Sequence, residues 1–420
     1  MPGTGSNGRV AVVEHELNYP YLIMITGGII ILTMFVKSGT ERTSVPSLVG
    51  FLLLGLLLRL ADTQWAFLGP DCKEILGFLA ELGLVTLLFR VGLESNLDGL
   101  LSQLRRASVI WSADVIVSGL TGFASAFYLL GLTWVTSLIV ATALTATSVG
   151  ICVSVWEENN ALKSSNGELL IDVAELDDIS AVVLMAMLFS VLAALKGNAE
   201  THWVQVLPKT IAAFLVKLLL FGGFCFLFSR FVERPVTDYF KNLKSPPDPM
   251  LVMVGISFMI AALAALLGFS LAIGAFFAGL VFSRDPRTVK MENSFLPLYE
   301  LFTPFFFIGI GLAIDPGTIM SALGLGAVLL MAAVAGKFIA DGIPIWRMTG
   351  LKSGVLIGAS MVPRAEIAMV IMHRGLGLGH WAVPAQVYGA MVMVSTATCI
   401  LSPVMVHALL KRWPQGEAFS

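Results

Sequence analysis

Residues 167–195 read GELLIDVAELDDISAVVLMAMLFSVLAAL. At about 1.5 Å per residue, a helix of this length crosses the roughly 30 Å hydrocarbon core of a bilayer. Yet Asp177 and Asp178 stand a third to a half of the way along it. A charge at that depth costs about 2.5–3.5 kcal/mol on insertion scales, so its presence points to a function. Adjacent helical residues point about 100° apart, so the two carboxylates cannot address one partner. We expect one to take a cationic neighbour and the other to face a cavity. A carboxylate in a cavity binds either a proton or a hard cation, whose preferred ligands are oxygens. Competition between these two ligands for one site is the physical basis of antiport.

The rest of the chain agrees with lipid as its solvent. Of 420 residues, 57% are hydrophobic and 13% charged, and mean hydropathy is +0.86. Soluble domains carry about 25% charge. A net charge of −2 argues against nucleic acid as a partner. Cys72, Cys152, Cys225 and Cys399 lack metal or disulfide spacing and read as small buried hydrophobes. The polar N-terminal segment, with Glu14 and Glu16, lacks the basic region and cleavage site of a signal peptide. The first apolar run is therefore expected to stay in the protein.

An all-α polytopic membrane protein with 13 transmembrane helices is expected, over 17–36, 46–60, 75–93, 107–131, 134–156, 167–195, 204–230, 249–267, 269–283, 295–313, 317–345, 352–373 and 384–410. The tail after Leu410 is short, so no soluble regulatory domain is expected. With the N-terminus outside, sixteen of the 26 basic residues fall on the cytoplasmic side and six outside. That bias supports N-out, C-in.

Gly50 and Gly55 of the second span match Gly274 and Gly279 of the ninth in spacing. Glu81-Leu82 and Gly92-Leu93 of the third match Glu300-Leu301 and Gly311-Leu312 of the tenth. Spans 1–6 then pair with 8–13, with the seventh as connector. An odd number of spans between the copies inverts the second, giving an inverted repeat of the kind found in secondary transporters.

Other intramembrane charges converge on similar depth. Lys337 lies two thirds along its span, and Arg364 and Glu366 lie near the middle of theirs. In the fifth span, Thr142, Thr145, Thr147, Ser148 and Gly150 make a poor continuous helix. Its counterpart holds Gly358, Ser360 and Pro363. Two crossed, broken helices are expected, offering hydroxyls and carbonyls to an ion. Asp341, at i+4 from Lys337, competes with Asp177 for that lysine. Asp172 and Glu175 are candidates for an acidic funnel or for solvated helix ends. Asp114 shows no obvious partner. Glu81 and Glu300 read as capping or pairing groups. The five histidines show no metal spacing.

Glu175-Leu176-Asp177-Asp178-Ile179, preceded by Gly167-Glu168-Leu169-Leu170, resembles the ion-binding helix of the monovalent cation/proton antiporter-2 family. Thr145-Ala146-Thr147-Ser148 resembles its first crossing helix, and Gly336-Lys337-Phe338 the helix of its buried lysine. Pro363-Arg364-Ala365-Glu366 is similar to its Pro-Arg-Gly-Glu motif. Val149 stands where many members have proline, and Ala365 replaces the motif's glycine. The resemblance covers roughly residues 20–410 in order.

This resemblance implies a dimerisation part (spans 1–3 and 8–10), a mobile core (spans 4–6 and 11–13), elevator-type alternating access and a homodimer in a bacterial inner membrane. It implies that Asp178 binds Na+ or a proton, that Asp177 pairs with Lys337, and that Lys337 compensates charge and carries a second proton. Thr145, Thr147 and Ser148 belong to the unwound segment beside the ion, and Arg364 and Glu366 to a charge network. No enzyme activity and no cofactor is implied, only transported cations and protons. An Asp-Asp pair with lysine is similar to the electrogenic sodium/proton members. Potassium/proton exchange on the same site is the alternative, and a channel or sensor of the same fold is another class.

Overall fold

The computed structural model describes residues 19–40, 46–94, 97–148, 150–197, 203–241, 249–283 and 292–415. The polar N-terminal segment, Val149, and the loop bases Arg9, Arg42, Lys244, Arg284, Arg287 and Lys290 lie outside them. The regular structure of the described residues is all helix, in the order α1 (Tyr19–Thr40), α2 (Ser47–Trp65), α3 (Pro70–Glu94), α4 (Leu97–Ala124), α5 (Trp134–Thr145), α6 (Gly150–Glu158), α7 (Ser165–Gly197), α8 (Trp203–Phe228), α9 (Arg234–Lys241), α10 (Pro249–Leu266), α11 (Leu271–Phe282), α12 (Glu292–Leu312), α13 (Ile319–Lys337), α14 (Ile343–Thr349), α15 (Leu351–Ser360), α16 (Glu366–Leu378) and α17 (Ala385–Arg412). Among these residues, ten stretches of helix are long and apolar enough to cross a bilayer. Met250–Leu266 and Leu271–Phe282 are shorter apolar helices, and α15 with α16 forms a broken pair. Each expected run falls on helix. Large apolar side chains such as Ile23 and Phe35 on α1 and Leu219 and Leu220 on α8 are exposed, which suits a lipid-facing surface.

Local chemistry sets several boundaries. Thr133 caps α5 by accepting from the Thr136 amide, and Ser270 caps α11 by accepting from the Ile273 amide. Gly268, at φ +88°, turns the chain between α10 and α11. Span eleven is interrupted by a π-turn over Phe338–Gly342, directly after Lys337. Such wide turns recur at functional sites.

Two groups of helices pack within themselves. In one, α12 lies against α2 and α3, and α3 and α10 lie against α11. In the other, α4 contacts α5, α7 and α13, while α17 contacts α6, α13 and α16. Glycines bring the first group into backbone contact. A Cβ on Gly55 would fall on the Ile308 carbonyl, and one on Gly279 on the Phe89 carbonyl. Likewise, Gly92 meets Phe276 and Gly311 meets Leu52. The repeat pairs Gly55 with Gly279 and Gly92 with Gly311, and each contact maps onto its counterpart. This reciprocity supports the inverted repeat, and the close backbone contacts leave no room for a Cβ at these four positions.

Candidate functional site

The two helix breaks meet. The first lies between Thr145 and Gly150, the second between Ser360 and Glu366. The Ser148 amide donates to the Pro363 carbonyl at 3.0 Å. Arg364 is wholly buried between them, and its Nη1 donates to the Ala146 carbonyl at 2.6 Å and to Thr147 Oγ1 at 3.1 Å. Its backbone amide donates to Thr398 Oγ1 at 3.1 Å. A cation thus sits at the carbonyl end of α5, while Glu366 opens α16. Both placements oppose the helix dipoles. Ser148 Oγ donates to Glu366 Oε2 at 2.5 Å, tying the two broken segments together by a side-chain bond. Ala365 has φ −127°, outside the left-handed region that would call for glycine.

The acidic pair divides as helix geometry requires. Asp178 is half-buried and lines a cavity of about 660 Å³ together with Thr147, Ser148, Glu175 and Glu366. Glu94 and Glu300 also line it, as do the bases Lys37 and Arg90. Lys37 pairs with Glu300 at 2.6 Å, and Arg90 with Glu94 at 2.6 Å. Acids outnumber bases on this wall, so the cavity attracts cations. Asp177 turns the other way and is buried. Its Oδ2 lies 3.5 Å from Lys337 Nζ.

Lys337 is also wholly buried, and its closest partner is Asp114 on α4. This corrects the sequence reading, which gave Asp114 no partner and left Lys337 between Asp177 and Asp341. Asp341 Oδ2 is 3.9 Å from the ammonium. Only the buried position of Asp114 within an apolar run hinted at its role; its partner lies 223 positions away in the chain.

Other candidates sort plainly. Thr147 and Ser148 reach the cavity, whereas Thr145 does not line it, because its hydroxyl donates back to the Thr142 carbonyl at 2.8 Å. Glu175 lines the cavity, and Asp172 does not. Glu300 and Glu81 are paired, the latter with Arg374 at 3.9 Å. All four cysteines are buried and free.

A second cavity, of about 550 Å³, sits at the other end of α2. Arg59, Asp62, Lys73, Glu81, His373 and Arg374 line it, but neither aspartate of the pair does. Asp178 lines the first of these two cavities and not the second.

The sequence profile described as sodium/hydrogen exchanger, transmembrane, matches residues 28–412. The chain is 26% identical to the high-affinity Na+/H+ antiporter NhaS3 of Synechocystis sp., over 95% of this chain and 86% of that protein. It is 28% identical to the Na+/H+-K+ antiporter GerN of Bacillus cereus, over 87% of this chain and 90% of that protein. The fold is similar to the sodium proton antiporter MjNhaP1 of Methanocaldococcus jannaschii, with a TM-score of 0.68 at 14% identity, covering 96% of this chain and all of that one (100%).

Proposed function

The chain belongs to the sodium/hydrogen exchanger family, and from that premise we propose that it is an integral membrane antiporter exchanging sodium or lithium for protons at Asp178. The observation that carries this reading is the split of the acidic pair. Asp178 faces an acidic cavity beside Thr147 and Ser148, while Asp177 is held inside against Lys337. Oxygen ligands from Asp178 and the unwound segment, with the charge of Asp177 behind them, suit a monovalent hard cation. A proton on Asp178 and a cation at Asp178 exclude one another.

Two cavities at opposite ends of α2 support alternating access. The glycine-packed group (spans 1–3 and 8–10) serves as the fixed dimerisation part of a homodimer. The group carrying the crossed breaks (spans 4–6 and 11–13) serves as the moving core. Access in this elevator changes when the core slides past the apolar side chains that separate the cavities. Lys337 balances the buried carboxylates and carries the second proton, so each cycle moves net charge. Arg364 and Glu366 keep the broken helices joined during the movement. The membrane is a bacterial plasma membrane, with the N-terminus outside. Potassium/proton exchange at the same site is the second reading, favoured by the similarity to a relative named as a Na+/H+-K+ antiporter.

Proton flux in proteoliposomes tests both readings. Sodium or lithium added outside is expected to alkalinise the lumen, and Asp178→Asn to abolish the response. Cation-driven alkalinisation that survives Asp178→Asn refutes the mechanism. Potassium acting as well as sodium selects the second reading.

A further inference from the structure

One lysine faces three buried carboxylates, and the geometry divides it unevenly. Both oxygens of Asp114 are engaged: Oδ2 accepts from Lys337 Nζ, and Oδ1 accepts from Ser118 Oγ at 2.8 Å. Asp177 lies farther from the ammonium, at 3.5 Å, and Asp341 farther still, at 3.9 Å. Neither oxygen of Asp341 has a hydrogen-bond partner among the described residues. Gly336 lets α13 press onto α4, where a Cβ would meet Thr121 Oγ1 at 2.7 Å. That close approach delivers Nζ to Asp114.

We propose that Asp114 is a positioning residue of the exchange site, holding Lys337 back from Asp177 and thereby setting how tightly the transported cation binds. The proposal rests on the antiport reading. A cation at Asp178 is also attracted by the charge of Asp177 beside it in the chain, and Lys337 cancels that charge as it approaches. Attraction between charges grows steeply as they approach in a dry interior. While Asp114 holds the ammonium, the cancellation is partial. Without the Asp114 charge, the ammonium closes on Asp177 to an ordinary charge-assisted hydrogen bond of about 2.8 Å. The cation at Asp178 then loses the help of Asp177 and binds more weakly.

Sodium-driven proton movement by the full chain in liposomes provides the test. Asp114→Asn is expected to raise the sodium concentration for half-maximal rate about tenfold. Its maximal rate is expected to change less than about twofold, the signature of lost binding alone. Asp114→Glu is expected to restore most of the wild-type value. An unchanged half-maximal concentration in Asp114→Asn, or a loss confined to the maximal rate, overturns the proposal. If Asp114→Asn does not fold, Gly336→Ala decides: its added Cβ would meet Thr121 Oγ1 at 2.7 Å, a side-chain end that can give, and moves Nζ away from Asp114. The same rise in the half-maximal sodium concentration is expected, and an unchanged value overturns the proposal. Wild-type protein inactive with sodium, lithium and potassium refutes the antiport reading and the affinity role with it, whereas an active wild type with unchanged half-maximal concentrations in these variants refutes the affinity role alone.

Discussion

Substituting glutamine for Arg364 asks whether charge holds the two helix breaks together. The guanidinium is wholly buried and donates from Nη1 to the Ala146 carbonyl at 2.6 Å and to Thr147 Oγ1 at 3.1 Å. Hydrogen bonds from a charged donor contribute about 1.5–3 kcal/mol each, against about 0.5–1.5 kcal/mol for neutral ones. Exchanging two of the first kind for two of the second loses about 2–3 kcal/mol. Losing the cation at the carbonyl end of α5 adds about 0.3–2 kcal/mol. An amide is easier to bury than a guanidinium, which offsets part of the loss. Nε and Nη2 have no hydrogen-bond partner among the described residues, so this offset is real. The net destabilisation is about 2 kcal/mol, or roughly thirtyfold in the folded-to-unfolded ratio. Equilibrium unfolding in mixed dodecylmaltoside–SDS micelles measures it. Trp156 is a built-in reporter, because its indole Nε1 donates to Ser360 Oγ at 2.9 Å beside the second break. Arg364→Lys, which keeps the charge without the fork, is expected to fall between glutamine and wild type. Arg364→Gln stability within about 0.5 kcal/mol of wild type, or above it, refutes the idea that this charge holds the crossing.

The glycine contacts and the cysteines yield two further predictions. Gly279→Val places a side chain on the backbone of Phe89 and Gly92, where neither helix gives way. A loss of about 3 kcal/mol or more is expected, read as loss of the monodisperse peak in size-exclusion chromatography. Gly27→Val, with nothing within 4 Å of its added Cβ, is expected to elute like wild type. Because Cys72, Cys152, Cys225 and Cys399 are all buried, a polar maleimide is expected to label the native protein hardly at all and to label it fully in SDS. Rapid native labelling contradicts the packing described here.

Much of the site was legible because it depends on local chain geometry. Two adjacent aspartates on a helix must diverge, and they do. Threonines, serine and glycine in one half and proline and glycine in the other mark the breaks, because both sets weaken a helix. Partners across the fold were not legible. Asp114 and Lys337 meet only because Gly336 admits α4, and no spacing in either segment records that meeting. The local i+4 rule pointed instead to Asp341. The π-turn beginning at Phe338 changes the α-helical register on which that rule depends, and Asp341 ends as the farthest of the three carboxylates. Thr145 failed for a smaller reason. The helix persists one residue past the expected release, so its hydroxyl is spent on its own backbone.

The thinness of the layer between the cavities has an electrical consequence. Leu87, Phe307 and Ile367 line one cavity, and Leu84, Phe306 and Val370 line the other. Ile367 and Val370 are about one helical turn apart, roughly 5 Å. Where ionic solution fills both cavities, the voltage drop is compressed into the apolar material left between, just as low-dielectric walls focus field lines in a cleft. A unit charge crossing the whole potential exchanges about 2.3 kcal/mol per 100 mV. Asp178 lines the first of these cavities, so in the proposed alternating access its charge has only this layer to pass, about one helical turn. The distance that matters to the membrane potential is then the thickness of a few side chains, and not that of the bilayer.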